Sequence, residues 1–92
     1  MKKIHVSTLE KLEHAVGVAL SGQYVDRSTR CIDGVHYVTI QGEGLLLLIL
    51  RYWCGDVNVH SIAGDSALRW CAEITNELWR IGEARWEKLW TA

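Results

Sequence analysis

The sequence predicts an α+β domain: an N-terminal helix, a four-stranded antiparallel sheet and a long C-terminal helix, in the order α-β-β-β-β-α. Three observations carry this. A helix-start signature opens a stretch of 3.6-residue apolar period, a middle section of short β-type runs is divided by glycine-containing turns, and helical period returns from Asp65 onward. The length of 92 residues, with 49% hydrophobic and 23% charged side chains, fits a single domain spanning 1–92.

Ser7-Thr8-Leu9-Glu10 has the pattern of a capping box, in which the Ser7 hydroxyl accepts from the third helical N–H and Glu10 reaches back to the cap. A helix is therefore expected from near Thr8. At about 100° per residue, Leu9, Leu12, Val16, Ala19 and Leu20 share one stripe, and Gly22 supplies a left-handed stop. A short strand at Lys3 to Val6 is the one further element that could precede it.

Between Gln23 and Ile62 the turn signals Asp33-Gly34, Gly42-Glu43-Gly44 and Gly55-Asp56 separate four strands. Asp33-Gly34 as a two-residue turn pairs Ile32 with Val35 and Cys31 with His36. Gly55-Asp56, treated likewise, pairs Cys54 with Val57 and Arg51 with His60. These registers assign Val35, Tyr37, Leu46, Leu48, Leu50, Tyr52, Val57 and Val59 to a core face. The opposite face receives His36, Val38, Ile40, Leu45, Leu47, Ile49 and Ile62, with Cys31, Arg51, Trp53, Asn58 and His60 toward one end. A solvated sheet face alternates to polar, whereas Leu45 to Leu50 is apolar on both sides, so a cover over the second face is expected.

From Asp65-Ser66, either of which is a good N-cap, helical period runs without proline to about Trp90, roughly 25 residues. Ala67, Cys71, Ile74, Leu78, Ile81 and Leu89 form one apolar stripe. Leu68, Ala72, Trp79, Trp86 and Trp90 form a second, and the combined arc is too wide for one buried face. Gly82 inside this helix is about 1 kcal/mol less favourable than alanine and marks a kink or a close helix approach.

Composition limits the function classes. Ten basic against eleven acidic residues give a net charge of -1, and the balance is local, so no basic arm or stripe marks a nucleic-acid footprint. The apolar run from Leu45 to Leu50 is far too short to span a membrane, and Met1-Lys2-Lys3 leads into no apolar signal core, which makes a cytoplasmic location the expectation. Cys31, Cys54 and Cys71 are odd in number and widely spaced; buried free thiols are expected, not a disulfide framework or a paired metal motif.

Cys31, His36, Arg51 and His60 could share the outer sheet face, combining a thiol with imidazole bases. No nucleophile motif or oxyanion loop accompanies them, and two histidines about 10 Å apart across the strands do not converge on a metal. Gly42-x-Gly44 and Gly64-Asp65-Ser66 read as turn and cap, since neither matches a phosphate loop and Asp65 would repel the anion. No catalytic residue, metal ligand or cofactor is assigned.

Helix, strands, helix is the element order of double-stranded-RNA-binding domains, and Gly64-x-Ser66 before the last helix resembles the Gly-x-Gly-x-Ser turn of that family. Ala67, Leu68, Arg69 and Trp70 follow it in place of a phosphate-clamping lysine cluster. The resemblance is one of topology and implies no RNA binding. In size, lack of motifs and two-sided apolar pattern the chain is similar in style to small immunity proteins and to phage-encoded inhibitors of bacterial defence, anti-CRISPR proteins among them. Those groups share no signature, so no residue role transfers.

Five tryptophans in 92 residues, four of them after residue 69, supply much of the large apolar area. Trp79, Trp86 and Trp90 could complete the core, form a homodimer seam or meet a foreign partner. Glu73, Glu77, Glu83 and Glu87 either face a basic groove or form a solvated helix face with Arg80, Arg85 and Lys88 as internal partners. The expected function is a non-catalytic protein-binding module, an inhibitor that occludes a partner, with Trp79, Trp86, Trp90, Glu83, Arg51, Trp53 and His60 as contact residues. The competing expectation is a small-ligand or nucleic-acid-binding domain in which Trp53 stacks on a ring beside Arg51 and His60.

Overall fold

A computed structural model describes residues 4–83 and shows an α+β fold with two helices and an antiparallel sheet. In chain order the elements are β1 (Ile4–His5), α1 (Leu9–Ala19), β2 (Asp26–Ile32), β3 (Val35–Gln41), β4 (Leu47–Trp53), β5 (Asp56–Ala63) and α2 (Asp65–Arg80). The sheet has five strands, not four, because the short N-terminal segment pairs with β5 as an edge strand; the strand order is β1-β5-β4-β3-β2.

The β2–β3 and β4–β5 hairpins each turn on two residues held at positive φ, the geometry whose twist matches that of the flanking strands. Asp33 and Gly34 (φ 53° and 81°) join β2 to β3 with the expected register, Ile32 opposite Val35. Between β4 and β5 the turn residues are Cys54 and Gly55 (φ 50° and 84°), so Trp53 lies opposite Asp56 and Arg51 opposite Asn58. This corrects the expected Gly55-Asp56 turn by one residue. Gly55 tolerates its left-handed conformation without strain, and its missing side chain leaves room for the His5 ring.

The core face consists of Val38 and Ile40 from β3, Leu48, Leu50 and Tyr52 from β4, and Val57 and Val59 from β5, all buried. For β3 this reverses the sequence expectation. Tyr37 and Val35 point outward and His36, Val38 and Ile40 point inward, because His36, Val38 and Ile40 stand opposite Tyr52, Leu50 and Leu48. The five-residue β3–β4 connection does not fix register as a tight hairpin does, and burial of Val38 and Ile40 against Leu48 and Leu50 decides it. Leu45 belongs to that connection and is exposed.

Both helices pack on this face, with each other and with the sheet. Leu12, Ala15 and Val16 of α1 and Ala67, Trp70, Cys71, Ile74 and Leu78 of α2 are buried in one cluster with the strands. Trp70 is a core residue that reaches Gly42 in the β3–β4 connection, where a side chain in place of the glycine hydrogen would crowd its ring edge and Leu46. The Tyr52 hydroxyl donates to the Val6 carbonyl at 2.9 Å, tying β4 to the segment after β1. Burial raises its pKa. Of the three thiols only Cys71 is buried, and burial pushes it up to about 11; Cys31 in β2 and Cys54 in the β4–β5 turn, expected inside, are exposed.

The helix ends differ from expectation in informative ways. Thr8, not Ser7, caps α1 by accepting from the Lys11 N–H at 3.2 Å. At α2 the cap position is Gly64, with no side-chain cap from Asp65 or Ser66. The expected unbroken helix to about Trp90 stops at Arg80: the Gly82 N–H (φ 80°) donates to the Trp79 carbonyl and the Glu83 N–H to the Leu78 carbonyl, at 3.0 and 2.9 Å. That is a Schellman stop, so Gly82 ends the helix instead of kinking it.

The stop places Glu83 against the start of α1. Its carboxylate accepts from the Ser7 hydroxyl at 2.7 Å and the Ser7 N–H at 3.3 Å, and pairs with Lys11 at 2.7 Å. The backbone donor that Glu10 was expected to satisfy is thus satisfied by a residue 76 positions away in sequence. Hydrogen bonds from Lys11 and Ser7 hold the Glu83 carboxyl down at about 2. Glu83→Gln is expected to lower the unfolding free energy by about 1 kcal/mol at neutral pH, read from urea titrations. Because the folded carboxyl titrates near 2 against an ordinary 4.5, the wild type keeps this contribution above pH 4.5 and loses it as pH falls toward 2. The variant has no such loss, so the gap between the two proteins closes over that window.

Candidate functional site

With both helices on one side, the opposite face of the sheet has no cover among the described residues. Strand pairing arranges it in rows. One row runs Arg30, Tyr37, Arg51, Asn58 across β2 to β5. Beside it, on one side, lie Ile32 and Val35 of β2 and β3 and Trp53 and Asp56 of β4 and β5, in a single row. On the far side lie Thr39 and Ile49, then Gln41 and Leu47.

His60 joins this surface through a bulge. Leu50 lies opposite Val59 but Ile49 opposite Ser61, which leaves His60 as the extra residue of β5. Extra residues of this kind re-aim a side chain. Here His60 is exposed and its ring meets Tyr37 edge-on, 5.2 Å between centroids. Arg51, paired between Tyr37 and Asn58, holds its guanidinium carbon 5.8 Å from the centre of the Trp53 ring. Trp53 and Ile32 are 49% and 51% exposed, so the apolar content of this face is open to contact.

Of the residues singled out in the sequence, the structure brings Arg51, Trp53 and His60 together. Tyr37, Ile32 and Val35 complete the patch. Sequence reasoning misses Tyr37 and Val35 because β3 carries apolar residues on both faces, and only its pairing with β4 tells them apart. The thiol–imidazole constellation does not form: Cys31 and His36 lie on the helix-bearing side, and Arg51 and His60 on the outer side. No group of three or more His, Cys, Asp or Glu side chains converges to hold a metal among the described residues.

The α2 candidates separate. Leu68 and Trp79 are 52% and 38% exposed and form a narrow apolar strip with Ala72, away from the core stripe. Trp86 and Trp90, like Glu87, Arg85 and Lys88, lie outside the described residues. Glu83 is held by Ser7 and Lys11, and Glu77 is buried and held by the Nε and Nη2 groups of Arg80, whose hydrogen bonds lower its pKa. An acidic face built from Glu77 and Glu83 is therefore not presented outward.

An open cleft of about 610 Å³ lies between α1 and the β2 side of the sheet, lined by Glu13, Val16, Arg27, Thr29 and Val38. It exists because β2 overhangs the helical layer. Two side-chain contacts bridge it: the Thr29 hydroxyl donates to Glu13 at 2.7 Å, and the Arg27 guanidinium lies against Gly17 of α1. No helix among the described residues is long and apolar enough to cross a membrane. No family model matches the chain, and comparison with curated proteins and with solved structures finds no match.

If the outer face is a surface and not a second core, its substitution is cheap. Trp53→Ala and Ile32→Ser are expected to change the unfolding free energy by less than about 1 kcal/mol, against about 2–5 kcal/mol for Leu50→Ala on the core side. Denaturant titrations of the three variants read the difference directly.

Proposed function

We propose that the protein is a non-catalytic protein-binding module whose contact surface is the outer sheet face, and that it acts by occluding a surface of its partner, in the manner of small immunity proteins and anti-defence inhibitors. The observation that carries this reading is a face, uncovered among the described residues, on which Ile32, Val35, Leu47, Ile49 and Trp53 surround Arg51 and Tyr37. Aromatic and arginine side chains with aliphatic neighbours are the composition of an interface core. They also belong to the classes in which binding energy concentrates. The strands hold these side chains at fixed spacing, so little ordering remains to be done on binding.

The same rings favour a second reading, in which a base or other planar ligand stacks on Trp53 or Tyr37 beside Arg51. Charge weighs against a nucleic acid: Asp26 and Asp56 lie on the face with Arg30 and Arg51, and the chain as a whole carries -1. A phosphate backbone needs a track of positive charge, which this face lacks.

The experiment is site-directed photocrosslinking in host lysate, with a benzophenone side chain in place of Trp53 or, as a comparison, Leu68. The expected result is one discrete protein adduct from position 53 that survives nuclease treatment and about 0.5 M salt and is lost when Ile49→Asp is added. An adduct confined to position 68 would move the site to α2. A nuclease-sensitive adduct that fades with salt would support the stacking reading.

A further inference from the structure

We infer that the protein self-associates through β2, whose free edge pairs antiparallel with β2 of a second copy to make one continuous ten-stranded sheet. This is a separate surface from the outer face and does not depend on the function proposed for that face. β2 is the last strand of the sheet on its side, and its seven residues Asp26–Ile32 are exposed except for Thr29. In an antiparallel ladder the N–H and C=O groups of alternate residues point away from the neighbour. Ile32 flanks the two-residue turn and bonds inward to β3, so Cys31, Thr29 and Arg27 present theirs to the open edge. β2 contains no proline and no lysine, and its pairing with β3 runs without a bulge; the charges that guard it, Asp26, Arg27 and Arg30, are of both signs.

The sequence of this edge is complementary to itself. A two-fold axis perpendicular to the sheet joins two copies of β2 antiparallel and keeps like faces together, so outward residues meet outward residues. With the axis at Ser28, Asp26 of each copy faces Arg30 of the other, twice over, and both side chains are exposed. Neither has an ion-pair partner among the described residues. On the helix side, Arg27 meets Thr29 of the second copy, where the Thr29 hydroxyl already holds Glu13.

Neighbouring registers fail these tests. An axis at Arg27 opposes two Arg27 guanidinium groups and puts Asp26 against Ser28. An axis at Thr29 puts Asp26 against Ile32 and Arg30 against Ser28. Of these three only the Ser28 register joins opposite charges across the outer face, so the occupant that best fits this edge is a second copy of the chain.

The test is a charge exchange read by sedimentation equilibrium over a dilution series, with circular dichroism to confirm that each variant is folded. The wild type is expected at about 21 kDa, twice the 10.5 kDa chain, dissociating on dilution. Asp26→Arg and Arg30→Asp each place like charges opposite one another and should raise the dissociation constant at least tenfold. The double variant D26R/R30D restores the pairing and should return it to within about threefold of wild type, given ladder-pair energies of this kind. Mixing the two single variants should give a heterodimer although neither associates alone.

Ser28→Cys, combined with Cys31→Ser and Cys54→Ser, places two thiols across the axis at a non-hydrogen-bonded pair. The separation there of about 4.5 Å between Cα atoms lies within the range a disulfide spans. Mild oxidation should give a covalent dimer. A wild type that stays at 10.5 kDa at the highest concentration overturns the proposal. So does a dimer indifferent to both single charge changes, or one that the Ser28→Cys substitution fails to cross-link.

Discussion

Two helices of eleven and sixteen residues pack side by side on one face of a five-stranded sheet, and the rest of the molecule follows from that one-sided cover. Neighbouring helices lie about 8–10 Å apart, and strands about 4.8 Å apart, so a pair of helices shields roughly four strands. α2 lies over β4 and β5, and α1 reaches toward β2 through the Thr29–Glu13 and Arg27–Gly17 contacts. Among the described residues, the remaining strand edge and the whole opposite face stay open. Glu83 fixes the arrangement from the far end, because its bonds to Ser7 and Lys11 join the exit of α2 to the entry of α1. One carboxylate thus closes the helical layer that local capping leaves incomplete.

The elements themselves are legible in the sequence because each is announced by local chemistry. The α1 stripe, the Asp33-Gly34 turn and the helical period after Asp65 all describe what the chain does. What is not legible is set by partners distant in sequence. Ser7 gives up the capping role because Glu83 engages its hydroxyl and N–H, and Thr8 caps instead. Cys54 sits at φ 50°, where cysteine is not the residue one looks for, so local chemistry points one residue too late, to Gly55-Asp56. Gly82 reads as a flaw inside a long helix, although a glycine with a left-handed φ is also the commonest way to end one.

The candidate site is half legible. Arg51, Trp53 and His60 alternate or nearly alternate along adjacent strands, and the apolar run from Leu45 to Leu50 signals a second face that is not plainly solvated. The bulge that turns His60 toward Tyr37 has no local signature, and the face of β3 depends on pairing with β4. Tryptophan count is the weaker guide. Among the described tryptophans, Trp70 is core, Trp79 is partly covered, and the one on the open face is Trp53 in the middle of the chain.

The open face and the open edge have compatible geometry. A two-fold axis perpendicular to the sheet leaves both outer faces on the same side, so pairing through β2 hides none of Trp53, Arg51 or Tyr37. It sets two copies of the patch side by side across the new junction, with Arg30 and Asp26 at the seam. A partner that itself presents a repeated surface would then meet two sites held by one rigid sheet, and its second contact would be intramolecular. A partner with a single surface would gain nothing from the pairing. One-sided helical cover can thus supply both a contact face and the edge that would duplicate it, from 92 residues with a modest core.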